Sequence, residues 1–204
     1  MPTSDNDWTY RPRSSVPAFV ATVAVAAGLA FAQVVDGGTR GLVQALPFAL
    51  AGALAGWLVF AKPRVHVRDD GIDVENPLAS YHVPWAALVL VRTRFACTFV
   101  TPHRAVQAFA APGPGRHAAA MASAVDLRAA GRDPKLGADL GELPSAPSGQ
   151  VARVVRQRWE ALSESGALAL GEADETPVTR RVDVRGLVVL AVLLALGVAL
   201  QLAL

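Results

Sequence analysis

Residues 62–77, "KPRVHVRDDGIDVENP", mark the point at which the hydrophobic pattern of the chain changes. The segment begins at the end of a long uncharged apolar run. Apolar residues then alternate with polar ones on both sides of the acidic turn, at Val65, Val67, Ile72 and Val74. This pattern predicts two strands joined by a tight turn in which Asp70 and Gly71 take positive φ. A β-domain therefore starts where a segment with the composition of a membrane helix ends.

Three apolar runs have about the 20-residue length that crosses a bilayer as a helix. They are residues 16–35, 41–61 and 186–204. Only residues 36–40, "DGGTR", separate the first two runs, so the sequence predicts an antiparallel hairpin and three transmembrane helices in all. An alternative is that the first run is a signal peptide cleaved after Ala32, where small residues suit a signal peptidase.

Basic residues near the ends of these runs predict the orientation, because cytoplasmic loops carry an excess of lysine and arginine. They precede the first run, follow the second and precede the third: Arg11, Arg13; Lys62, Arg64, Arg68; Arg180, Arg181, Arg185. The hairpin loop has only Arg40. We expect a multi-pass plasma-membrane protein with the N-terminal tail, 1–15, and residues 62–185 in the cytosol and the C-terminus outside. The two later clusters can also bind anionic lipid headgroups, or they only fix the topology.

Composition excludes several classes of protein. The chain has 204 residues, 52% hydrophobic and 18% charged, and a net charge of +2, which does not suggest a nucleic-acid partner. Its single cysteine, Cys97, excludes an internal disulfide and a multi-cysteine zinc site. The four histidines follow no metal-binding spacing, and no phosphate loop or nucleophile motif is present. We therefore expect no catalytic residues, cofactor or metal.

The segment between the second and third apolar runs reads as a small β-domain with a helix. Further strands follow at "SYHV", "LVLVRT", "FACTFVT" and "AVQAFA", giving an antiparallel meander over 62–111. Residues 112–149 are rich in alanine, glycine and proline, and predict a helix at 116–131 followed by a linker. An amphipathic helix at 150–166 packs Val151, Val154, Val155, Trp159 and Leu162 on the sheet, with Ser148 or Gly149 as its cap. Residues 167–185 read as a second linker.

The order of these segments resembles a known family. Two apolar helices, then "PRVHVRDDGIDVEN" and "YHVPWAALVLV", are similar to bacterial membrane proteins with a small pleckstrin-homology-like (PH-like) domain, including the actinobacterial low-molecular-weight protein antigen. The resemblance covers residues 62–110 and is most specific at Val83–Trp85. It implies a PH-like meander or partial barrel capped by a C-terminal helix, but no characterised activity. Asp69 and Asp70 occupy the loop in which phosphoinositide-binding PH domains place cations, so we do not expect inositol phosphate binding there.

The leading functional hypothesis is a membrane-anchored PH-like binding or scaffolding module without catalytic activity. Its partners would be membrane lipids and a protein, the latter contacting the basic strands at Arg92, Arg94 and Arg104. The alternative is an integral accessory subunit of an envelope transporter or synthase complex, acting through its helices. In that case Gly52 and Gly56, which lie on one helix face, would permit close contact with a helix of another subunit. The same two glycines can equally pack against another helix of this chain. A third reading, a membrane-bound enzyme, would depend on His103 or Asp70. The sequence leaves partner, lipid specificity and oligomeric state open.

Overall fold

The computed structural model describes residues 7–114, 146–168, 171 and 173–203. The helix predicted at 116–131 and the linker up to residue 145 lie outside this range. The chain folds into two compact units, which we treat separately. One is a β-domain formed by Met1–Pro12, Arg64–Asn76 and Ser80–Arg181, and the other is a helical unit formed by Arg13–Pro63, Pro77–Ala79 and Val182–Leu204.

The described residues form three α-helices and eight strands. The helices are α1 Ser15–Gly56, α2 Pro147–Glu164 and α3 Val184–Ala203. The strands are β1 Trp8–Tyr10, β2 Arg64–Val67, β3 Gly71–Glu75, β4 Ala79–Pro84, β5 Leu90–Arg92, β6 Ala96–Val100, β7 Ala105–Pro112 and β8 Thr179–Val182. A π-helical segment, Trp57–Ala61, extends α1, and a 3-10 turn, Trp85–Ala87, follows β4.

The helical unit has two apolar helical elements, so the prediction of three separate helices is wrong in number. Helical structure continues through residues 36–40, which were predicted as a loop, and only Gly38 leaves it, with φ 55° and ψ −135°. Glycine takes this left-handed φ without steric penalty, so one residue is enough to redirect the backbone. The second part of α1 then packs closely on the first. Their separation is so small at Gly56 that a Cβ there would lie 2.8 Å from Thr22 Cγ2. Both elements are long and apolar enough to cross a membrane.

The β-domain contains two antiparallel sheets. Sheet A has the strand order β1-β2-β3-β4-β8, and sheet B has the order β5-β6-β7. Val65 pairs with Val74 and Val67 pairs with Ile72, so the predicted alternation places all four side chains on the buried face. Sheet B contributes Phe99 and Val106 to the same core, and α2 contributes Val151 and Val155. Both sheets and the helix therefore share one hydrophobic core.

The turn between β2 and β3 differs from its prediction. No described non-glycine residue has a positive φ, and Gly71 is not among the glycines that do. Gly71 instead begins β3 opposite Pro84, where a Cβ would lie 2.4 Å from the carbonyl oxygen of Val83. Glycine is needed at this position because another backbone approaches it closely, not because the turn requires a left-handed residue.

Both edges of sheet A come from segments for which the sequence predicts a tail and a linker. β1 pairs with β2, with Tyr10 opposite Val65, although residues 11–63 lie between the two strands in the chain. Trp8 and Tyr10 pack against the core of the domain. β8 forms the opposite edge, next to β4, and all four of its residues are exposed. The chain before α1 and the chain before α3 therefore both complete sheet A.

The C-terminal helix of the domain begins slightly earlier than predicted. Ala146 is the N-cap residue of α2 and Pro147 occupies the first turn, whereas Ser148 and Gly149 are buried inside the helix and do not cap it. Proline suits the first turn because its missing N–H would have no helical partner there. The predicted apolar face is the one that packs: Val151 and Val155 are fully buried, and Trp159 and Leu162 are partly buried against the core.

Candidate functional site

The outer face of sheet A carries a row of polar side chains that crosses four strands. Thr9 is opposite His66, His66 is opposite Asp73, and Asp73 is opposite His82. A second row lies beside it, since Arg64 is opposite Glu75 and Glu75 is opposite Ser80. Alternation along a strand brings these residues to the face opposite the core, because their neighbours Val65, Val67, Ile72 and Val74 point inward.

The side chains of the two rows form two neighbouring groups of hydrogen bonds and ion pairs, one around Asp73 and one around Glu75. His82 Nδ1 lies 2.7 Å from Asp73 Oδ1, and Arg68 Nη1 lies 3.2 Å from Asp73 Oδ2. Arg64 Nε donates to Glu75 Oε2 at 2.8 Å. A carboxylate oxygen only accepts hydrogen bonds, so His82 donates from Nδ1 and its Nε2 is left to face Asp70, whose Oδ2 is 4.0 Å away. We call this set the sheet A network.

His66 joins β1 to the sheet A network. Its Nδ1 lies 2.8 Å from Thr9 Oγ1, and its Nε2 lies 3.6 Å from Glu75 Oε1. Burial lowers the pKa of His66, and the nearby carboxylate of Glu75 opposes this shift without cancelling it. The ring is therefore neutral at pH 7, and a hydrogen bond between neutral groups holds the edge strand at this point.

A groove of about 510 Å³ lies over the outer face of β3 and β4, next to strand β8, and members of the sheet A network line it. Its walls include Asp70, Ser80, His82, Thr179 and Arg181. The groove therefore presents hydroxyl, imidazole, carboxylate and guanidinium groups close together, which suits recognition of a polar segment. In the part of the chain that the structure describes, no hydrogen bond joins Ser80 to His82, and no cluster of three potential metal ligands occurs.

The basic residues predicted at the ends of the apolar runs fall into two groups. Lys62 Nζ forms a 2.5 Å ion pair with Asp183 Oδ2, while Arg64 and Arg68 belong to the sheet A network. The hydrogen bond from Lys62 and one from the backbone N–H of Gly186 lower the pKa of Asp183. Arg180 and Arg181 are exposed on β8, and Arg185 lies in the first turn of α3. Three of the six side chains predicted to bind headgroups thus already have a carboxylate partner.

The arginines predicted as a partner surface do not form one cluster. Arg92 lies on the outer face of sheet B opposite Thr98, and Arg94 lies in the β5–β6 turn with its guanidinium 5.2 Å from the ring centre of Phe95. Arg104 lies in the β6–β7 turn, 5.7 Å from the ring centre of Tyr81. The five residues of β6, about 17 Å, separate the two turns. Arg92 and Arg94 are therefore neighbours, whereas Arg104 is at the other end of the sheet.

The other residues singled out in the sequence have packing or hydrogen-bond roles within the fold. Gly52 and Gly56 face Ala26 and Thr22 of the first part of α1, which is packing within the chain. Cys97 is fully buried, and burial raises the pKa of its thiol to about 12, so it is a poor nucleophile. His103 donates from Nε2 to the carbonyl oxygen of Asp174, and His117 lies outside the described residues.

The sequence did not predict the sheet A network, because its members are far apart in the chain. Their partnership depends on the register of β1 to β4, and no local motif encodes that register. A signal was nevertheless present, since Thr9, His66, Asp73 and His82 all occupy polar positions between apolar strand residues.

Comparison with known proteins agrees with this architecture. Residues 62–133, about a third of the chain, match the family model of the bacterial PH domain. No curated protein and no solved structure matches the chain. The matched segment runs from β2 through β7 and includes the "VPW" stretch from which the resemblance was inferred. The chain therefore contains a small PH-like domain, built from antiparallel sheets and a C-terminal helix.

Proposed function

We propose that the protein is a membrane-anchored PH-like binding or scaffolding module of the bacterial plasma membrane. The observation that carries the proposal is the continuity of the PH-like domain with apolar helices on both sides. Tyr10 and Arg64 of the domain flank the first apolar element, and β8 is followed at once by α3. Such a chain holds a binding domain at a bilayer surface and needs no catalytic step to act.

The charge distribution supports a cytosolic domain. Arg11, Arg13 and the clusters at residues 62–68 and 180–185 lie on the domain side of the apolar elements, whereas Arg40 is the single basic residue near Gly38. By the positive-inside rule the domain and the N-terminus face the cytosol, and the C-terminus faces outward. The ion pair of Lys62 does not weaken this argument, because the rule concerns residues as the chain is inserted and not contacts in the folded protein.

The groove beside the sheet A network is the surface we assign to a protein partner. It combines unlike polar groups in a small volume, and the network holds Asp73 and His82 in fixed positions before a partner arrives. Side chains that are already ordered lose less entropy on binding, which favours affinity and selectivity. The alternative, an accessory subunit acting through its helices, finds less support, because Gly52 and Gly56 pack within α1.

Cysteine accessibility in intact cells tests the anchoring and the topology. Gly37, Ser80 and Leu202 are replaced one at a time by cysteine and exposed to a maleimide that does not cross membranes. Gly37 is preferable to Gly38, because it has room for a side chain and no positive φ. Cys97 can remain, since it is buried and its thiol pKa is about 12. We expect labelling at positions 37 and 202 only. Labelling at position 80 from outside overturns the topology, and extraction of the protein from membranes by alkaline carbonate overturns the anchoring.

Site-directed crosslinking tests the binding role. The variant Ser80→benzoylphenylalanine is irradiated in intact cells, and adducts are identified by mass. We expect a reproducible protein adduct that the added substitution Arg181→Glu reduces. Gln107→benzoylphenylalanine, on the exposed outer face of sheet B, is the matched control. Failure to recover an adduct at position 80 above this control would count against a partner in the groove.

A further inference from the structure

Sheet B and its turns have an uncompensated positive charge that the proposed function does not use. Residues 76–114, which include all of sheet B, contain three arginines and no acidic residue. In the described part of the chain, Arg92 and Arg94 take part in no ion pair, and the contact recorded for Arg94 is with the ring of Phe95. Among the described residues these two charges therefore have no acidic partner, and they are available to an anion.

The β5–β6 turn adds an apolar group at the same place. Phe95 is 76% exposed, more than the other exposed large apolar residues of the domain. Its backbone is held firmly, since Gly113 N–H donates to the carbonyl oxygen of Phe95 at 2.8 Å. This turn, which we call the tip, therefore presents an exposed aromatic ring with the Arg94 guanidinium 5.2 Å from its centre, and Arg92 ends the preceding strand β5.

We infer that the tip formed by Arg92, Arg94 and Phe95 inserts into the surface of an anionic lipid bilayer. The chemistry matches the boundary of a membrane, where hydrocarbon lies next to a layer of phosphate. Phe95 enters the apolar region while the two guanidinium groups bind phosphates, to which they donate in bidentate fashion. Snorkelling and the ring contact let Arg94 stay at the headgroup level while the ring goes deeper.

A bilayer fits this tip better than a protein does. A strongly exposed ring needs a preformed pocket in a protein partner, whereas a fluid bilayer surface adapts to it. The inference rests on the proposed anchoring, which ties the β-domain that carries the tip to the bilayer. At the resulting high effective concentration, a contact made by two charges and one ring is sufficient. The tip would limit the tumbling of the domain and orient its sheet A groove.

Crosslinking to lipid in nanodiscs tests the inference with the full chain. Phe95→benzoylphenylalanine keeps an aromatic group at the tip, and Phe109→benzoylphenylalanine is the matched control on the flat outer face of the same sheet. Discs contain phosphatidylcholine alone or with one third phosphatidylglycerol. We expect a lipid adduct at position 95 in anionic discs, several-fold weaker in neutral discs and weak at position 109 in both. Each of Arg92→Gln and Arg94→Gln should lower the adduct about fivefold, whereas Arg104→Gln at the opposite end should not.

Any other crosslinking result contradicts a specific part of the inference. Equal adducts at positions 95 and 109, or an adduct at 95 that ignores lipid charge, rules out charge-guided insertion of the tip. A protein adduct at position 95 in native membranes, without a lipid adduct, assigns the tip to a protein partner and rejects the inference. Incorporation into discs is scored separately: a chain that does not incorporate contradicts the anchoring itself, whereas an incorporated chain without a lipid adduct contradicts only the tip. Protection of Cys97 from thiol reagents confirms that each variant is folded.

Discussion

Sheet A and sheet B surround one core but carry charge in opposite ways on their outer faces. On sheet A, Arg64 and Arg68 lie against Glu75 and Asp73, and Asp69 of the same turn pairs with Arg158 from α2. On sheet B, Arg92 and Arg94 have no carboxylate within the described residues and stand beside the exposed ring of Phe95. The two surfaces therefore suit different kinds of contact.

Under the two proposals, the domain divides recognition of a protein partner, on sheet A, from attachment to lipid, on sheet B. A compensated network has its side chains already oriented, so it discriminates between partners by geometry and has little long-range attraction. Uncompensated arginines attract any anionic surface from a distance and discriminate poorly. The core does not distinguish the sheets, since both contribute fully buried apolar side chains, such as Ile72 from sheet A and Phe99 from sheet B. The substitutions below test whether the two outer faces are as different as their charges indicate.

The largest expected effect comes from adding a side-chain atom at Gly71, where two backbones of sheet A approach each other most closely. Gly71→Ala would place Cβ 2.4 Å from the carbonyl oxygen of Val83, and we expect a loss of about 3 kcal/mol in the free energy of unfolding of the β-domain. In sheet B, Gly113→Ala meets the carbonyl oxygen of Arg94 at 2.8 Å, so the loss should be smaller. Gly37→Ala, with open space around it, is the control. Denaturant titration with Cys97 labelling as the readout measures all three. A larger loss for Gly113→Ala would contradict the contact geometry.

The next largest effect on the free energy of unfolding comes from one of two buried threonines, which lie at opposite ends of sheet B. Thr101 Oγ1 donates to the carbonyl oxygen of Arg104 at 2.8 Å, whereas Thr93 Oγ1 is buried without a hydrogen-bond partner in the described structure. Thr101→Val should therefore lower the free energy of unfolding by about 1 to 2 kcal/mol. Thr93→Val should leave it unchanged or raise it, because it removes a buried hydroxyl that gains nothing there. Equal losses from both would show that Thr93 has a partner after all.

The arginines give a smaller effect that bears directly on the comparison. Arg68→Gln removes an ion pair to Asp73 that is partly exposed, so we expect a loss of about 0.5 kcal/mol that shrinks in high salt. Arg92→Gln removes no ion pair and should not reduce stability. Thermal unfolding at low and high salt measures both. If Arg92→Gln destabilises the domain as much as Arg68→Gln does, the charge of sheet B is compensated within the fold.

The smallest effect is a pH dependence at the β1 edge. The pKa of His66 is lower in the folded chain than its ordinary value of about 6.5, so the unfolded chain binds more protons between those two values. The stabilising contribution is complete above about pH 6.5 and is lost as the pH falls through the lowered pKa. Unfolding midpoints measured from pH 8 to 5 should fall less steeply for His66→Gln. Thr9→Val removes the hydrogen bond but keeps the titrating group, so it should lower stability without flattening the curve. If the unfolding midpoint of His66→Gln falls with pH as steeply as that of the original protein, His66 does not cause the pH dependence.

Strong local patterns account for what the sequence predicted. The alternation at Val65, Val67, Ile72 and Val74 predicted β2 and β3, and the family match confirms a small PH-like domain. The edge strands were missed because each has only three or four residues, and three of the four residues of β8 are polar. They are strands because they pair with β2 and β4, which are too far away in the sequence for a local pattern to include them. The number of helices was wrong because a single glycine, Gly38, redirects the chain where a loop was expected.

The candidate site was less predictable than the fold. Arg92, Arg94 and Arg104 were grouped because the sequence placed them on neighbouring strands, but antiparallel hairpins place successive turns at opposite ends of a sheet. The sheet A network shows the converse case, because Thr9 and His66 are distant in the chain and in hydrogen-bond contact in the fold. Predicting either result requires the strand register, which depends on how the whole core packs.

The position of β1 has a practical consequence for anyone who wants the domain without its helices. A soluble fragment cut at Arg64 would begin on β2, expose an unpaired strand edge and lack Trp8 and Tyr10, so aggregation is the expected result. A workable fragment joins Tyr10 to Arg64 through a short engineered turn and omits residues 11–63. During synthesis the same geometry imposes an order of events. The first strand leaves the ribosome early, and its partner β2 does not exist until residues 11–63 have also been made.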